Sequence, residues 1–510
     1  MKYEITPTIR EMLDNAAAVY NKKTFIKFIR EDVIVERSFA GVREDSLAFC
    51  RYIREICGCG EHIALISKSS YEYITCLTGV LISGNVAIPM PPDTSTENAV
   101  RLLNDADVTV VLYGEEFADK IEEVKKHCPQ IRLVHDLGDY KDFEAVFSKY
   151  NSNSVYAHLS DYKVDPYSCA LIIYTSGSTG DRKGVMLSTY ALVENMMFKP
   201  HSDYVFNDDV LLSVLPMYHI FCFVSDYLGP LMHGNTLCLN GEMRDLFKNM
   251  LLFKPGTMRI VPMIAQAILA RINAVAAKNP ELSPEQTAAL VTGGELKWLL
   301  SGGAYLDPAI CRIFEKYGMY LRQGYGMSEA GCKIGVPDED AAVECVGRAM
   351  NNLKVRTQNG EIQVDTPCRM IGYYKNPEAT KEMFTEDGWL KTGDIGYISE
   401  EGEIFITGRV KNLIILSNGE NVSPEGLEKK LKENLLISEC LVYAEKDRIT
   451  ADIFPDTGYA ELHGIDDIAA AIETIVDEMN VTALPSHTIA KINIKDEPLP
   501  KGPTGKILRK

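Results

Sequence analysis

A chain of 510 residues, 46% hydrophobic and 24% charged, has the balance of a soluble globular enzyme, with room for about three domains. Its formal net charge of -18 argues against a nucleic-acid surface, which needs clustered lysine and arginine, yet leaves room for a local cationic site that binds a small polyanion. The 13 cysteines are scattered and odd in number, which suits the reducing cytoplasm. Cys57 and Cys59 form a lone C-x-C with no second pair at zinc-ligand spacing, so no metal site is expected there.

The N-terminal MKYEITPTIREML holds no signal-type apolar run. Helical spacing of apolar residues marks 41–57, and His62–Ser67 reads as a strand. A helix over 71–83 closes at Gly84; a strand at 87–89, a helix at 96–105 and a strand at 108–113 follow. This rhythm predicts an α/β fold with layered, mostly parallel sheets. The apolar run 210–224 is broken by Pro216 and His219, is too short to span a membrane, and reads as buried core. Beyond residue 350 short strands at 354–365, 388–397 and 403–407 indicate a β-rich subdomain, and 410–510 a small α+β domain. The expected division is therefore 1–409 and 410–510.

The strongest local signal is LIIYTSGSTGDRKGV, Leu171 to Val185. An apolar strand runs into a loop whose glycines let the backbone approach a ligand closely. Convergent backbone N–H groups, three or more hydroxyls and Lys183 make a cradle for polyphosphate. The lysine spacing differs from GxxxxGK[ST], and GxGxxG is absent.

With this loop the sequence resembles the adenylate-forming superfamily, whose phosphate loop reads approximately YTSG[ST]TGxPKGV; Arg182 stands where that family usually has proline. Further motifs follow in the family's order: LPMYHIF from Leu215, SGGAYL from Ser301, QGYGMSE from Gln323, GEIQVDTP and GYYKNPEAT between 360 and 380, WLKTGDIGYI from Trp389, GRVKNLIILSNGENVSPEGLE from Gly408, and the terminal PKGPTGKILRK. The resemblance covers nearly all of residues 40–510.

It implies a two-domain ligase that joins a carboxylic acid to AMP, using ATP and Mg²⁺, and then passes the acyl group to a thiol. Thr175, Ser176, Gly177, Ser178, Thr179, Gly180 and Lys183 would grip the β and γ phosphates. Gly302, Gly303 and Ala304 would lie on the adenine side, and Tyr325 would stack on the base within Gln323, Gly324, Gly326, Met327 and Ser328. Glu329, with Thr179, would hold Mg²⁺. Asp394 would accept from the ribose hydroxyls, with Ile406 and Arg409 beside it. Lys506 would bridge the carboxylate and the α-phosphate, and Lys411 would be the hinge. Asn412 and Gly426 depart from the family's usual acidic residues.

His219 matches a position beside the acyl group, and Ile220 stands where amino-acid-activating relatives carry an aspartate. An amino acid is therefore disfavoured, because a buried ammonium needs a partner. The apolar stretch 220–224 suits an alkyl or aryl acid, and LSNGENVSPE resembles the fatty-acyl-CoA branch. A fatty acid and CoA are the expected substrates. The alternatives are loading of an acyl or peptidyl carrier protein's phosphopantetheine and, from a different class, a nucleotide sensor without catalysis.

Overall fold

The helix expected from residue 41 starts at Phe39, because Ser38 caps it: the Ser38 hydroxyl accepts from Gly41 N at 3.1 Å. Its buried stripe of Phe39, Val42, Phe49 and Ile53 sets the helical period. His62–Ile66, Tyr71–Leu81, Val86–Met90, Thr96–Asp105 and Val110–Tyr113 follow as the sequence reading expected, within a few residues at each end. The strands pair in parallel, with Ile63 opposite both Ala87 and Val110, and bury both faces.

The computed structural model describes residues 8–137, 140–152, 154–175, 182–197, 210–416, 421–445, 448–501 and 507–509. They fall into two compact units: Met1–Val355 with Val364–Leu390 and Gly402–Ile404, and Arg356–Gln363 with Lys391–Glu401 and Phe405–Lys510.

In the first unit, seven described strands form one sheet in the order Gly372–Tyr373, Lys183–Ser188, Cys169–Thr175, Val86–Met90, His62–Ile66, Val110–Tyr113, Leu133–Asp136. The two strands at the Gly372 end run antiparallel. A second sheet of seven has the order Tyr320–Gln323, Trp298–Ser301, Thr257–Ile260, Val210–Ser213, Thr236–Leu239, Thr24–Arg30, Val33–Ser38. All but its last strand are parallel. The four at the Tyr320 end finish together, with Arg259 opposite Ser213 and Ser301 opposite both Ile260 and Gln323. Carboxyl ends of parallel strands are where open α/β sheets bind ligands.

The run 210–224 is mostly buried, with His219 exposed, and is not one element. After Val210–Ser213 and a loop through Pro216, the helix Ile220–Cys222 passes into a π-helical turn, Phe223–Leu228. No helix among the described residues is long and apolar enough to cross a membrane.

The second unit carries most of a four-stranded sheet, ordered Lys354–Gln358, Glu361–Asp365, Leu390–Ile398, Ile404–Arg409. It also carries a three-stranded sheet of Ile437–Glu445, Arg448–Pro455 and Lys491–Ile494. Helices Pro424–Leu431 and Ile468–Thr482 pack Leu427, Leu431, Ile472 and Val476 into one core with Val442 and Ile453.

Candidate active site

Cys169–Thr175 and Lys183–Ser188 are antiparallel partners with Thr175 opposite Lys183, so the chain leaves and rejoins the sheet at one place. Ser176, Gly177, Ser178, Thr179 and Gly180 lie outside the described residues. Gly372–Tyr373 pairs along the other edge of Lys183–Ser188, with Tyr373 opposite Val185. Lys183 Nζ then sits 4.9 Å from the centre of the Tyr373 ring, as a cation over a π face. The Tyr373 hydroxyl donates to Glu329 Oε1 at 2.7 Å. Glu329 is buried in the turn Ser328–Ala330, and its carbonyl accepts from Met370 N at 2.8 Å. Burial, reinforced by the Glu329 carboxylate, raises the Tyr373 pKa, so the phenol remains a proton donor.

The structure thus brings Lys183 and Glu329 together through a residue that sequence reasoning missed. Tyr373 lies in GYYKNPEAT, where nothing local separates it from Tyr374. The pairing with Lys183–Ser188 that selects it is non-local.

The SGGAYL and QGYGMSE motifs meet because Trp298–Ser301 and Tyr320–Gln323 are parallel neighbours. Gln323 Oε1 accepts from Leu306 N at 2.8 Å and fastens the SGGAYL loop to the QGYGM strand. Gly302 is there because a Cβ would stand 2.9 Å from the Phe221 ring. Gly303 follows at φ +76 and is exposed, with Ala304 half-buried. Gly324 packs on Leu300, and Gly326 lies so near the Cys332 carbonyl that a Cβ would be 1.7 Å from its oxygen. Tyr325 and Met327 are half-buried on the strand Tyr325–Met327, and Ser328 opens the turn that carries Glu329.

His219 ends the loop after Val210–Ser213, its ring 4.7 Å from Tyr218. The ring is exposed to solvent, yet the protein around it lowers its pKa by desolvation. Of the five apolar residues expected to receive the acid, Ile220, Cys222, Phe223 and Val224 are buried in the core, and Phe221 keeps partial exposure against Gly302.

In the second unit, Asp394 is buried and its Oδ1 lies 2.6 Å from Arg409 Nε, so the two pair with each other. Thr392 Oγ1 accepts from Asp394 N at 3.1 Å while donating to the Ile362 carbonyl at 2.7 Å. Ile406 is half-buried on the strand that ends at Arg409. Lys411 is exposed in the turn Val410–Asn412. Asn412 donates to Glu425, which explains an amide there, since a carboxylate would face Glu425 with like charge. Nothing in the structure requires glycine at 426. Lys506 lies outside the described residues. Its flanks are held: Lys501 bridges to Ile507, Leu508 N donates to the Pro500 carbonyl at 2.8 Å, and Arg509 pairs with Glu428 at 2.6 Å. Among the described residues no group of three or more His, Cys, Asp or Glu could hold a metal ion.

This architecture, a large α/β unit of parallel sheets and a small second unit, is that of the adenylate-forming enzymes. ATP-bound MatB from Rhodopseudomonas palustris superposes with a TM-score of 0.81 at 23% identity, covering 98% of this chain and 97% of that one. An anthranilate CoA ligase in complex with anthranoyl-AMP superposes at 0.79 and 19%, over 99% and 97%. The chain belongs to the AMP-binding enzyme family: residues 13–374 match the AMP-binding enzyme and 411–510 the AMP-binding enzyme C-terminal domain. Among curated relatives, 4-coumarate–CoA ligase 3 of Oryza sativa subsp. japonica is 31% identical over 89% of this chain and 82% of its own. A long-chain-fatty-acid–CoA ligase of Mycobacterium bovis is 27% identical over 76% and 71%.

Proposed function

We propose that the protein activates a carboxylic acid with an alkyl body, a fatty acid, as acyl-AMP with release of pyrophosphate, and then transfers the acyl group to the thiol of CoA in the cytoplasm. The observation that carries this reading is the array of Lys183, Tyr373 and Glu329, which sets a cation and a buried carboxylate side by side at the rim of the glycine-rich segment. A relative named for long-chain fatty acids supports the acid class, and it and the relative named for 4-coumarate, both CoA ligases, support the acceptor.

The reacting carboxylate is already ionised near neutral pH, so no general base is required. The barrier is one of charge and position. Lys183 and the loop Thr175–Gly180 hold the β and γ phosphates. Glu329, kept in place by the Tyr373 hydroxyl, fits Mg²⁺, a hard cation that takes one or two carboxylates and fills its remaining positions with water and substrate phosphate. A Mg²⁺ held there would neutralise part of the polyphosphate charge. His219, its pKa lowered, presents a neutral imidazole to the acyl side. Tyr325 stacks on adenine, and Asp394, steadied by Arg409, accepts from the ribose hydroxyls. Lys506 bridges the reacting oxygens during adenylation, and rotation of 410–510 about Lys411 then clears the way for the thiol.

The test is acid-dependent pyrophosphate release with ATP and Mg²⁺, with and without CoA, across aliphatic, aryl and amino acids. Release with aliphatic acids, and acyl-CoA once CoA is added, is the expected result. Adenylate without acyl-CoA would replace CoA by a carrier protein. Intact ATP binding with no release from any acid would overturn the reading.

A further inference from the structure

The strand of Lys183 lies between two others, and a tyrosine from each side reaches the same turn. Tyr174 lies opposite Gly184 on one side, and Tyr374 N donates to the Gly184 carbonyl at 2.8 Å on the other. The Tyr174 hydroxyl donates to Asp105 Oδ2 at 2.5 Å, and the Tyr374 hydroxyl to Asp107 Oδ2 at 2.7 Å. Both carboxylates belong to the turn 105–107, where the helix Thr96–Asp105 ends. Lys375 completes the clasp: its Nζ lies 2.8 Å from Asp107 Oδ2 and donates to the Asp105 carbonyl at 2.9 Å. His62 Nδ1 donates to the Ala106 carbonyl at 2.5 Å, and its ring lies 5.3 Å from that of Tyr374.

Two features set this clasp apart from an ordinary surface ion pair. Asp107 and Lys375 both hold left-handed backbone, at φ +51 and φ +54 with the values 51 and 54, which glycine would take without strain. Strain of this kind persists only where surrounding contacts hold it, and it gathers at functional sites. The clasp also bears on Lys183 from both neighbouring strands. Tyr174 adjoins Thr175, and a Cβ on Gly184 would stand 3.2 Å from the Tyr174 ring, so that ring lies against the residue next to Lys183. Tyr374 adjoins Tyr373, which underlies Lys183 and donates to Glu329. Burial, then the facing carboxylate, raises the pKa of both phenols, and the Lys375 ammonium, then the Tyr374 hydroxyl, lowers that of Asp107. The phenols therefore stay donors and Asp107 stays charged, which strengthens the hydrogen bond it accepts.

We propose that Asp105 and Asp107 are positioning residues for the polyphosphate end of ATP: through Tyr174 and Tyr374 they hold the two strands that flank Lys183, and so fix its ammonium against Tyr373 and Glu329. This rests on the adenylation reading, in which Lys183 holds the β and γ phosphates. The clasp then matters for ATP and not for AMP, which has neither phosphate.

The experiment measures the KM for ATP by ATP–pyrophosphate exchange and the Kd of AMP by calorimetry. It uses the wild type, the double variant Tyr174→Phe with Tyr374→Phe, Asp107→Gly and Asp107→Asn. The double variant removes two oxygen atoms and leaves both rings. Glycine removes the carboxylate, asparagine keeps an acceptor, and both accept left-handed backbone. The expected result is a KM for ATP raised about 10-fold in the double variant and in Asp107→Gly, with Asp107→Asn nearer the wild type. Wild-type affinity for AMP in all of them is expected as well, and shows that they fold. An unchanged KM for ATP in the double variant and in Asp107→Gly, or equal losses for ATP and AMP, would overturn the inference and leave the adenylation reading standing. No exchange by the wild type with any acid, despite bound ATP, would overturn both.

Discussion

Tyr373 acts through a single hydroxyl that faces a buried carboxylate, and its ring underlies a lysine ammonium. These two roles can be separated. Tyr373→Phe keeps the ring under Lys183 and deletes only the donor to Glu329. A buried acceptor that loses its partner costs about 1–3 kcal/mol, which corresponds to a factor of about 10–100. The expected outcome is a fall of that size in kcat/KM for pyrophosphate release. It should come with a raised Mg²⁺ requirement, because a Glu329 that is free to turn no longer presents a fixed oxygen. Exchange rates measured across a Mg²⁺ series decide this, and an unchanged Mg²⁺ midpoint would remove Tyr373 from the metal side of the site. The structure adds a pairing that the sequence did not offer, of Arg409 with Asp394.

Among the elements, the strand Tyr325–Met327 shows most sharply how a motif glycine can be dictated by packing. Its register with Cys332–Val336 shifts between Tyr325 and Gly326, and the Cys332 carbonyl enters the space where a side chain would begin. Gly326→Ala would have to separate the two strands. Overpacking of this kind costs about 1–3 kcal/mol, and here it also moves Tyr325 and Glu329 on either side. The expected outcome is a lowered midpoint of urea unfolding with adenylation lost. A variant of wild-type stability and activity would show that the strands part easily. The elements that sequence made legible were those whose signal is local. The apolar period located the helices Phe39–Cys57, Tyr71–Leu81 and Thr96–Asp105 within a few residues. The motifs named the residues around Tyr325 and Lys183 because each lies on one continuous stretch. What stayed hidden depends on which strand neighbours which. Tyr373 joins the site only through pairing with Lys183–Ser188. The buried pair of Asp226 and Arg259 comes from two distant segments, each of which reads in isolation as a charge in an apolar run. The residues ahead of 40 gave no sequence expectation, although Thr24–Arg30 and Val33–Ser38 complete a sheet.

For the whole molecule, the question is whether one chain performs two half-reactions by presenting two faces of its C-terminal domain. The segments flanking Lys506 are fixed to that domain by the Arg509–Glu428 and Lys501–Glu439 pairs. If adenylation needs Lys506 in place and thioester formation needs it withdrawn, two substitutions should fail in opposite ways. Lys506→Ala removes the charge proposed to bridge the reacting oxygens, a kind of loss worth about 10²–10³ in rate, and should slow ATP–pyrophosphate exchange by that factor. Its conversion of preformed acyl-AMP to acyl-CoA should stay near that of the wild type. Lys411→Pro leaves Lys506 intact but restricts φ at the proposed pivot, so it should retain exchange and lose thioester formation. Both half-reactions are to be measured on both variants, with unfolding midpoints as a control for folding. Equal losses in Lys411→Pro at wild-type stability would mean that residue 411 is not the pivot. Equal losses in Lys506→Ala would mean that the lysine serves both steps, and that the domain need not turn between them.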